Sequence, residues 1–136
     1  MKLTIHTDGG ARGNPGPAAI GVVIEEGTKV LAAFGKKIGE ITNNVAEYTA
    51  VIEALAWLKT HQQTSKKISF FLDSTLVVNQ INGLFKVKEP HLRELLIQVR
   101  ALEQEVGGSV TYTVVRRELN THADLMVNEA LDTKGQ

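Results

Sequence analysis

The sequence predicts an α/β domain with elements in the order βββαβααβα, built on a five-stranded mixed sheet. Three observations carry this. Three strand-like runs, the first with apolar residues alternating with polar ones, fill the first forty residues with only short connections between them. From residue 44 onward the spacing changes to that of helices, interrupted by two more short strand-like runs. Strands that alternate with helices lie parallel through right-handed crossovers, so the last two are expected to run parallel to the first, beside an antiparallel meander.

Each element has its own signal. Leu3, Ile5 and Thr7 alternate with polar positions, so residues 2–7 read as a strand that delivers Asp8 at its end. There the glycine- and proline-rich run Thr7–Pro17 opens, read as a turn. It lacks the Gly-Lys-Ser/Thr of a phosphate loop and the G-x-G-x-x-G of a dinucleotide fold. Residues 18–26 and 29–38 are two further strands joined at Glu26-Gly27-Thr28. From Asn44 to about Thr60, Tyr48, Val51, Ile52, Leu55 and Leu58 keep helical spacing. Residues 67–72 form a short strand ending at Asp73. Ser74 caps the next helix, which Gly83 ends. Pro90 starts a helix to about Val106, with Leu92, Leu95, Leu96, Val99 and Leu102 on one face. Residues 110–115 are the last strand and 121–132 the last helix, with Asn120 or Thr121 as its cap.

Composition sets limits on function. The 136 residues suit one domain, 1–136, with 43% hydrophobic and 22% charged content. Without cysteine there is no disulfide framework and no thiolate zinc site. No apolar run has the length of a membrane span and the N-terminus lacks a signal-peptide pattern, so a cytoplasmic protein with no membrane partner is expected. Fifteen basic residues balance fifteen acidic ones, which argues against nucleic-acid binding by bulk positive charge.

Sheets of this kind hold ligands outside the carboxyl ends of their parallel strands. Asp8 and Asp73 both fall at such ends. If the strands are neighbours, two charges about 5 Å apart repel by roughly 3 kcal/mol at an effective dielectric of about 20. Divalent-cation binding is the commonest reason to keep such a pair. Glu47, in the first turn of its helix, is the third candidate, although Asn44-x-x-Glu47 also has the spacing of a capping box. Asp124 is the fourth, although an acid there also suits a helix N-terminus. Together the four can bind two Mg²⁺ ions, which prefer hard oxygen ligands. Such ions activate a water and stabilise the leaving oxygen of a phosphoryl displacement.

Four stretches, TDGGARGNPGPA, TNNVAEY, DSTLVVNQ and NTHADLMVNEAL, resemble in order and spacing the type 1 ribonuclease H family across nearly the whole chain. The resemblance implies a ribonuclease H-like fold with helices on both faces of the sheet. It implies endonucleolytic hydrolysis of the RNA strand of RNA–DNA hybrids by two Mg²⁺ ions, with Mn²⁺ as substitute, leaving 5′-phosphate and 3′-hydroxyl ends. By motif position the catalytic and metal-binding carboxylates are Asp8, Glu47, Asp73 and Asp124. Asn14, Asn43 and Asn44 match minor-groove contacts, and Thr42 a contact near a DNA phosphate. Amide side chains both donate and accept, which suits 2′-hydroxyl recognition.

The chain also departs from the family pattern. Residues 84–89 replace a basic, tryptophan-bearing handle, so this is a short form, and Trp57 reads as helix packing. Glu40 and Glu89 stand where members supply a phosphate pocket. Acidic residues repel phosphate, so weaker, more salt-sensitive hybrid binding is expected. With this DNA-sensing surface reduced, looser selectivity is expected too, with double-stranded RNA as a further substrate. The loop at 116–121 lacks the family's mobile histidine. His122 is the nearest, as an auxiliary candidate or a plain surface residue. A monomer is expected. The competing readings are a hybrid-binding module without turnover and a 3′–5′ exonuclease of the wider superfamily.

Overall fold

The structure, a computed structural model, describes residues 2–64 and 66–133. Met1, Ser65 and residues 134–136, and with them the outermost ends of the 1–136 domain span, lie outside the described residues. The sheet holds β1 (Lys2–Ala11), β2 (Gly16–Glu26), β3 (Lys29–Ile41), β4 (Lys67–Leu72) and β5 (Ser109–Val114), ordered β3-β2-β1-β4-β5. β1, β2 and β3 form the antiparallel meander, and β4 and β5 run parallel to β1. Among the described residues the α-helices are α1 (Asn43–Thr60), α2 (Thr75–Ile81), α3 (Pro90–Val106) and α4 (Thr121–Asp132). This is the expected mixed sheet with helices on both faces: α1 lies on β1 and β2 with α3 against it, and α4 covers β1, β2 and β3 from the other side.

Side-chain alternation explains the layers. Leu3 and Ile5 of β1, Ile20, Val22 and Ile24 of β2 and Phe70 of β4 all join the buried core, which α1 closes with Tyr48, Val51, Leu55 and Leu58. Burying each large side chain contributes about 1.5–3 kcal/mol. Along α1, Ala46, Ala50 and Ala54 are also buried. Spaced by four, they form a small-residue stripe that lets the helix settle close to the strands. On the opposite face, a Cβ at Gly21 would strike the Ala123 carbonyl of α4. Gly21 is thus what allows the helix carrying Asp124 to approach the sheet.

Local capping fixes the helix starts. Thr42 is the N-cap of α1, its Oγ1 accepting the Val45 N–H at 3.3 Å. Ser74 Oγ accepts the Val77 N–H at 3.2 Å, as its position before α2 predicts. Pro90 opens α3, where it has no N–H to lose. Gly83, at φ 79°, follows the end of α2.

Several boundaries differ from the sequence expectation. β1 does not turn at Asp8 but continues through Gly9, Gly10 and Ala11, paired with Ile20, Ala19 and Ala18 of β2. β3 extends to Ile41, α1 starts one residue earlier, at Asn43, and β5 lies one residue earlier. A 3-10 turn at Arg117–Leu119 stands in the expected loop. No helix of the described residues is long and apolar enough to cross a membrane.

Candidate active site

The parallel pairing of β1 with β4 has its last register pair at His6 and Phe71, and Asp8 and Asp73 lie just beyond it. Asp8 is 8% exposed, and Glu47, which the earlier start of α1 places just past the first turn rather than within it, is 5% exposed. One carboxylate oxygen from each of Asp8, Glu47 and Asp73 can be chosen so that all three lie within 4.8 Å of one another. Asp124, in the first turn of α4, faces the same open cleft of about 390 Å³, where Asn128 Nδ2 lies 3.4 Å from its Oδ2. None of the four carboxylates forms an ion pair among the described residues.

Glu47 is not the partner of a capping box. Its Oε1 accepts the Gly9 N–H of β1, a bond between groups 38 residues apart, rather than the Asn44 N–H. Gly9 makes the contact possible, because a Cβ there would run into the Ala46 carbonyl. The helix end is thereby clamped to the strand beside Asp8, and the Asp8 Oδ1 accepts the same N–H at 3.0 Å.

The electrostatics show what the cluster costs. Burial first, then the proximity of Asp73 and Asp124, pushes the Asp8 carboxyl up from 3.8 to about 7, against a lowering hydrogen bond from Glu47. Burial and the neighbouring Asp8 and Asp73 hold Glu47 well above the usual carboxylate range. Two buried carboxyls whose ionised forms are disfavoured for want of a positive neighbour fit a hard divalent cation, which supplies that charge.

The remaining predicted residues divide into two groups. Asn43 and Asn44 line the cleft. Asn43 Oδ1 accepts the Ala11 N–H at 2.8 Å, and Asn14 Oδ1 accepts the Asn43 N–H at 3.0 Å, tying the β1–β2 hairpin to the start of α1. The side-chain NH₂ groups of both asparagines have no protein partner among the described residues, which leaves donors available. Asn14 and Thr42 lie outside the cleft lining, Thr42 being the α1 cap. His122 is exposed and also outside it, and its charge is felt by His6, which burial holds below the usual histidine range and which stacks on Phe71 at 5.3 Å. Trp57 stacks on His61 at 4.0 Å, as a packing residue.

Sequence reasoning missed Arg117. It lines the cleft with the carboxylates and forms no ion pair among the described residues, whereas Arg12 in the same lining is held by Asp132 at 2.7 Å. The run Arg116-Arg117 in the loop was the available signal, but only the 3-10 turn decides which of the two faces the acids.

Fold and cleft define an α/β domain that gathers acidic side chains at the carboxyl ends of neighbouring parallel strands, a site built for hard cations. A family described as reverse transcriptase-like matches residues 6–130. The bifunctional protein Rv2228c of Mycobacterium tuberculosis is 41% identical over 138 residues, covering 100% of this chain but only 37% of that protein. Ribonuclease HI of Halobacterium salinarum is 42% identical over 133 residues, 96% of this chain and 65% of that one. The chain therefore spans less than two thirds of these relatives' length. Among solved structures, LC11 ribonuclease H1 in complex with an RNA/DNA hybrid superposes with a TM-score of 0.91 at 43% identity, covering 96% of each chain. The chain belongs to the ribonuclease H1 family, as a short form in which only residues 82–89 join α2 to α3.

Proposed function

We propose that this protein cleaves the RNA strand of RNA–DNA hybrids internally, using two Mg²⁺ ions, with Mn²⁺ able to replace them, and leaving 5′-phosphate and 3′-hydroxyl ends. The observation that carries the reading is the unneutralised trio of buried Asp8, buried Glu47 and half-buried Asp73, with Asp124 beside it. A relative of 43% identity solved on such a hybrid supports the substrate. Asp8, Glu47, Asp73 and Asp124 would hold the cations. When bound, these supply a water of lowered pKa and charge stabilisation at the leaving oxygen.

The chain's own residues do the rest. The Gly9 N–H, accepted by both carboxylates, keeps Glu47 oriented beside Asp8. Asn43 and Asn44 border the cleft with amides suited to 2′-hydroxyls and base edges, and the Nδ2 of Asn14 extends that edge from the hairpin. Arg117 offers a guanidinium to a phosphate across from the acids. His122, exposed and outside the lining, is assigned no step. The proposal takes the working form to be a monomer and includes double-stranded RNA as a poorer substrate.

The test is incubation of the purified chain with an end-labelled hybrid and Mg²⁺. Internal cuts in the RNA strand support the proposal. Stepwise trimming from a 3′ end would replace it with an exonuclease, and a mobility shift without cuts with a binding module.

A further inference from the structure

We infer that Asn120 is a positioning residue: its side chain ties β1 to the start of α4 and so sets the spacing of Asp8 and Asp124 on which cation binding in the cleft depends. β1 and β4 part after the His6–Phe71 pair, one residue before Thr7 and two before Asp8. β4 continues with β5 instead, through the Leu72–Val114 pair and a 2.7 Å bond from the Val115 N–H to the Leu72 carbonyl. At the parting, the Thr7 carbonyl accepts a hydrogen bond from Asn120 Nδ2 at 2.9 Å, between residues 113 apart in the chain. Asn120 is 1% exposed. Its carbonyl accepts the Asp124 N–H at 3.1 Å, and its own N–H donates to the Arg117 carbonyl at 2.9 Å. One buried residue is thus bonded to Asp124, to Arg117 and to the immediate neighbour of Asp8.

Helix capping does not explain this asparagine. It stands just before α4, where an asparagine ordinarily accepts an N–H of the first turn, but its side chain makes no cap and reaches β1 instead. Stability does not explain it either. Asn120 Oδ1 and Thr7 Oγ1 are both buried without a hydrogen-bond partner among the described residues, an arrangement that costs free energy. An apolar residue of similar size would avoid part of that cost, but it would leave the Thr7 carbonyl unpaired and α4 untied from the strand carrying Asp8. Departures of this kind from the best local solution concentrate where geometry serves function.

The inference rests on the proposed reading of the cleft as a cation site, and metal binding measured without nucleic acid keeps the two apart: a chain that binds Mn²⁺ yet cuts no hybrid removes the nuclease reading and leaves Asn120 testable. The experiment compares the wild-type chain, Asn120→Ala and Val106→Ala. Val106 is a buried core residue of α3 near the opposite end of the sheet, where Lys67 pairs with Ser109. Mn²⁺ affinity is read by calorimetry, hybrid cleavage against Mg²⁺ concentration, and melting temperature without metal. Asn120→Ala is expected to weaken Mn²⁺ binding about tenfold, in the range seen when groups that orient metal ligands are removed, and to raise the Mg²⁺ requirement by a similar factor at unchanged KM for hybrid. Val106→Ala is expected to lower the melting temperature while keeping wild-type Mn²⁺ affinity. If Asn120→Ala does not fold, Asn120→Ser, which keeps a shorter donor, is read in its place and is expected to show a smaller loss in the same direction. Wild-type Mn²⁺ affinity in a folded Asn120 variant, or an equal loss of affinity in Val106→Ala, overturns the inference.

Discussion

Asp8→Asn separates the cost of the carboxylate cluster from its use. Asp8 is 8% exposed, and its carboxyl rises from 3.8 to about 7 through burial and the nearby Asp73 and Asp124. A rise of that size corresponds to roughly 4 kcal/mol of native-state penalty for the ionised form. Because burial and Asp8 also hold Glu47 well above the usual carboxylate range, the penalty is spread over both acids and the recoverable part is smaller, about 1–4 kcal/mol. The direction with pH follows from linkage. Between the unfolded and folded pKa values the native state binds more protons than the unfolded one, so metal-free stability falls as pH rises through roughly 4 to 7. Asparagine removes the charge and most of that slope. At about pH 8 in chelator, Asp8→Asn is therefore expected to melt higher than wild type by about 3–12 °C, taking about 3 °C per kcal/mol for a domain of this size. The gap should close near about pH 4, where the wild-type acid is also protonated. The assay is scanning calorimetry at several pH values without divalent metal, paired with hybrid cleavage in Mg²⁺, which the variant should lose. A melting point below wild type at the higher pH, or a gap that does not change with pH, would refute the electrostatic account of the site.

Four further outcomes are expected. Glu47→Gln keeps an acceptor for the Gly9 N–H, so it should abolish cleavage while its metal-free melting point stays at or above wild type; a clear drop would make Glu47 structural. Arg117→Ala should cut kcat/KM on hybrid about tenfold and reduce the salt slope of binding by about one phosphate contact, with Mn²⁺ affinity unchanged. Salt titration of binding checks this, and an unaltered slope counts against phosphate contact. Gly9→Ala forces a methyl into the Ala46 carbonyl and should destabilise by about 1–3 kcal/mol or more, read by urea unfolding, with wild-type stability contradicting the close approach of α1. Cleavage of double-stranded RNA under matched salt should be weak but detectable, and its absence removes that part of the proposal.

Much of the fold was legible because it is written in local periodicity. Alternation placed the first strand, short apolar runs bounded by turns placed the others, and 3.6-residue spacing placed the helices, because each element must bury a face, and β2 both of its faces, in the packed layers. What was not legible depends on distant partners. Gly9 and Gly10 look like turn residues, and only pairing with β2 makes them strand. Glu47 sits three residues after Asn44 and reads locally as a cap, since nothing in that spacing reveals a Gly9 N–H 38 residues away. Arg117 and Asn120 lie in a segment without periodicity, where the 3-10 turn alone sorts one arginine into the cleft and turns the asparagine toward β1.

The same parting of strands explains why the site forms where it does. While β1 and β4 stay paired, one face of each belongs to the core, where Leu3, Ile5, Ile68 and Phe70 are buried. Past His6 and Phe71 the ladder opens, and the edge of β1 needs new partners. The α1 end supplies one through Glu47 and the α4 start supplies another through Asn120. Each substitute bond brings an acid with it, Glu47 directly and Asp124 one turn on. The convergence of carboxylates is therefore built from the same contacts that close the sheet. Removing a charge should then relieve the fold, whereas removing a tie should loosen both fold and site. That contrast between Asp8→Asn and Asn120→Ala is the physical signature expected of a cleft assembled for cations.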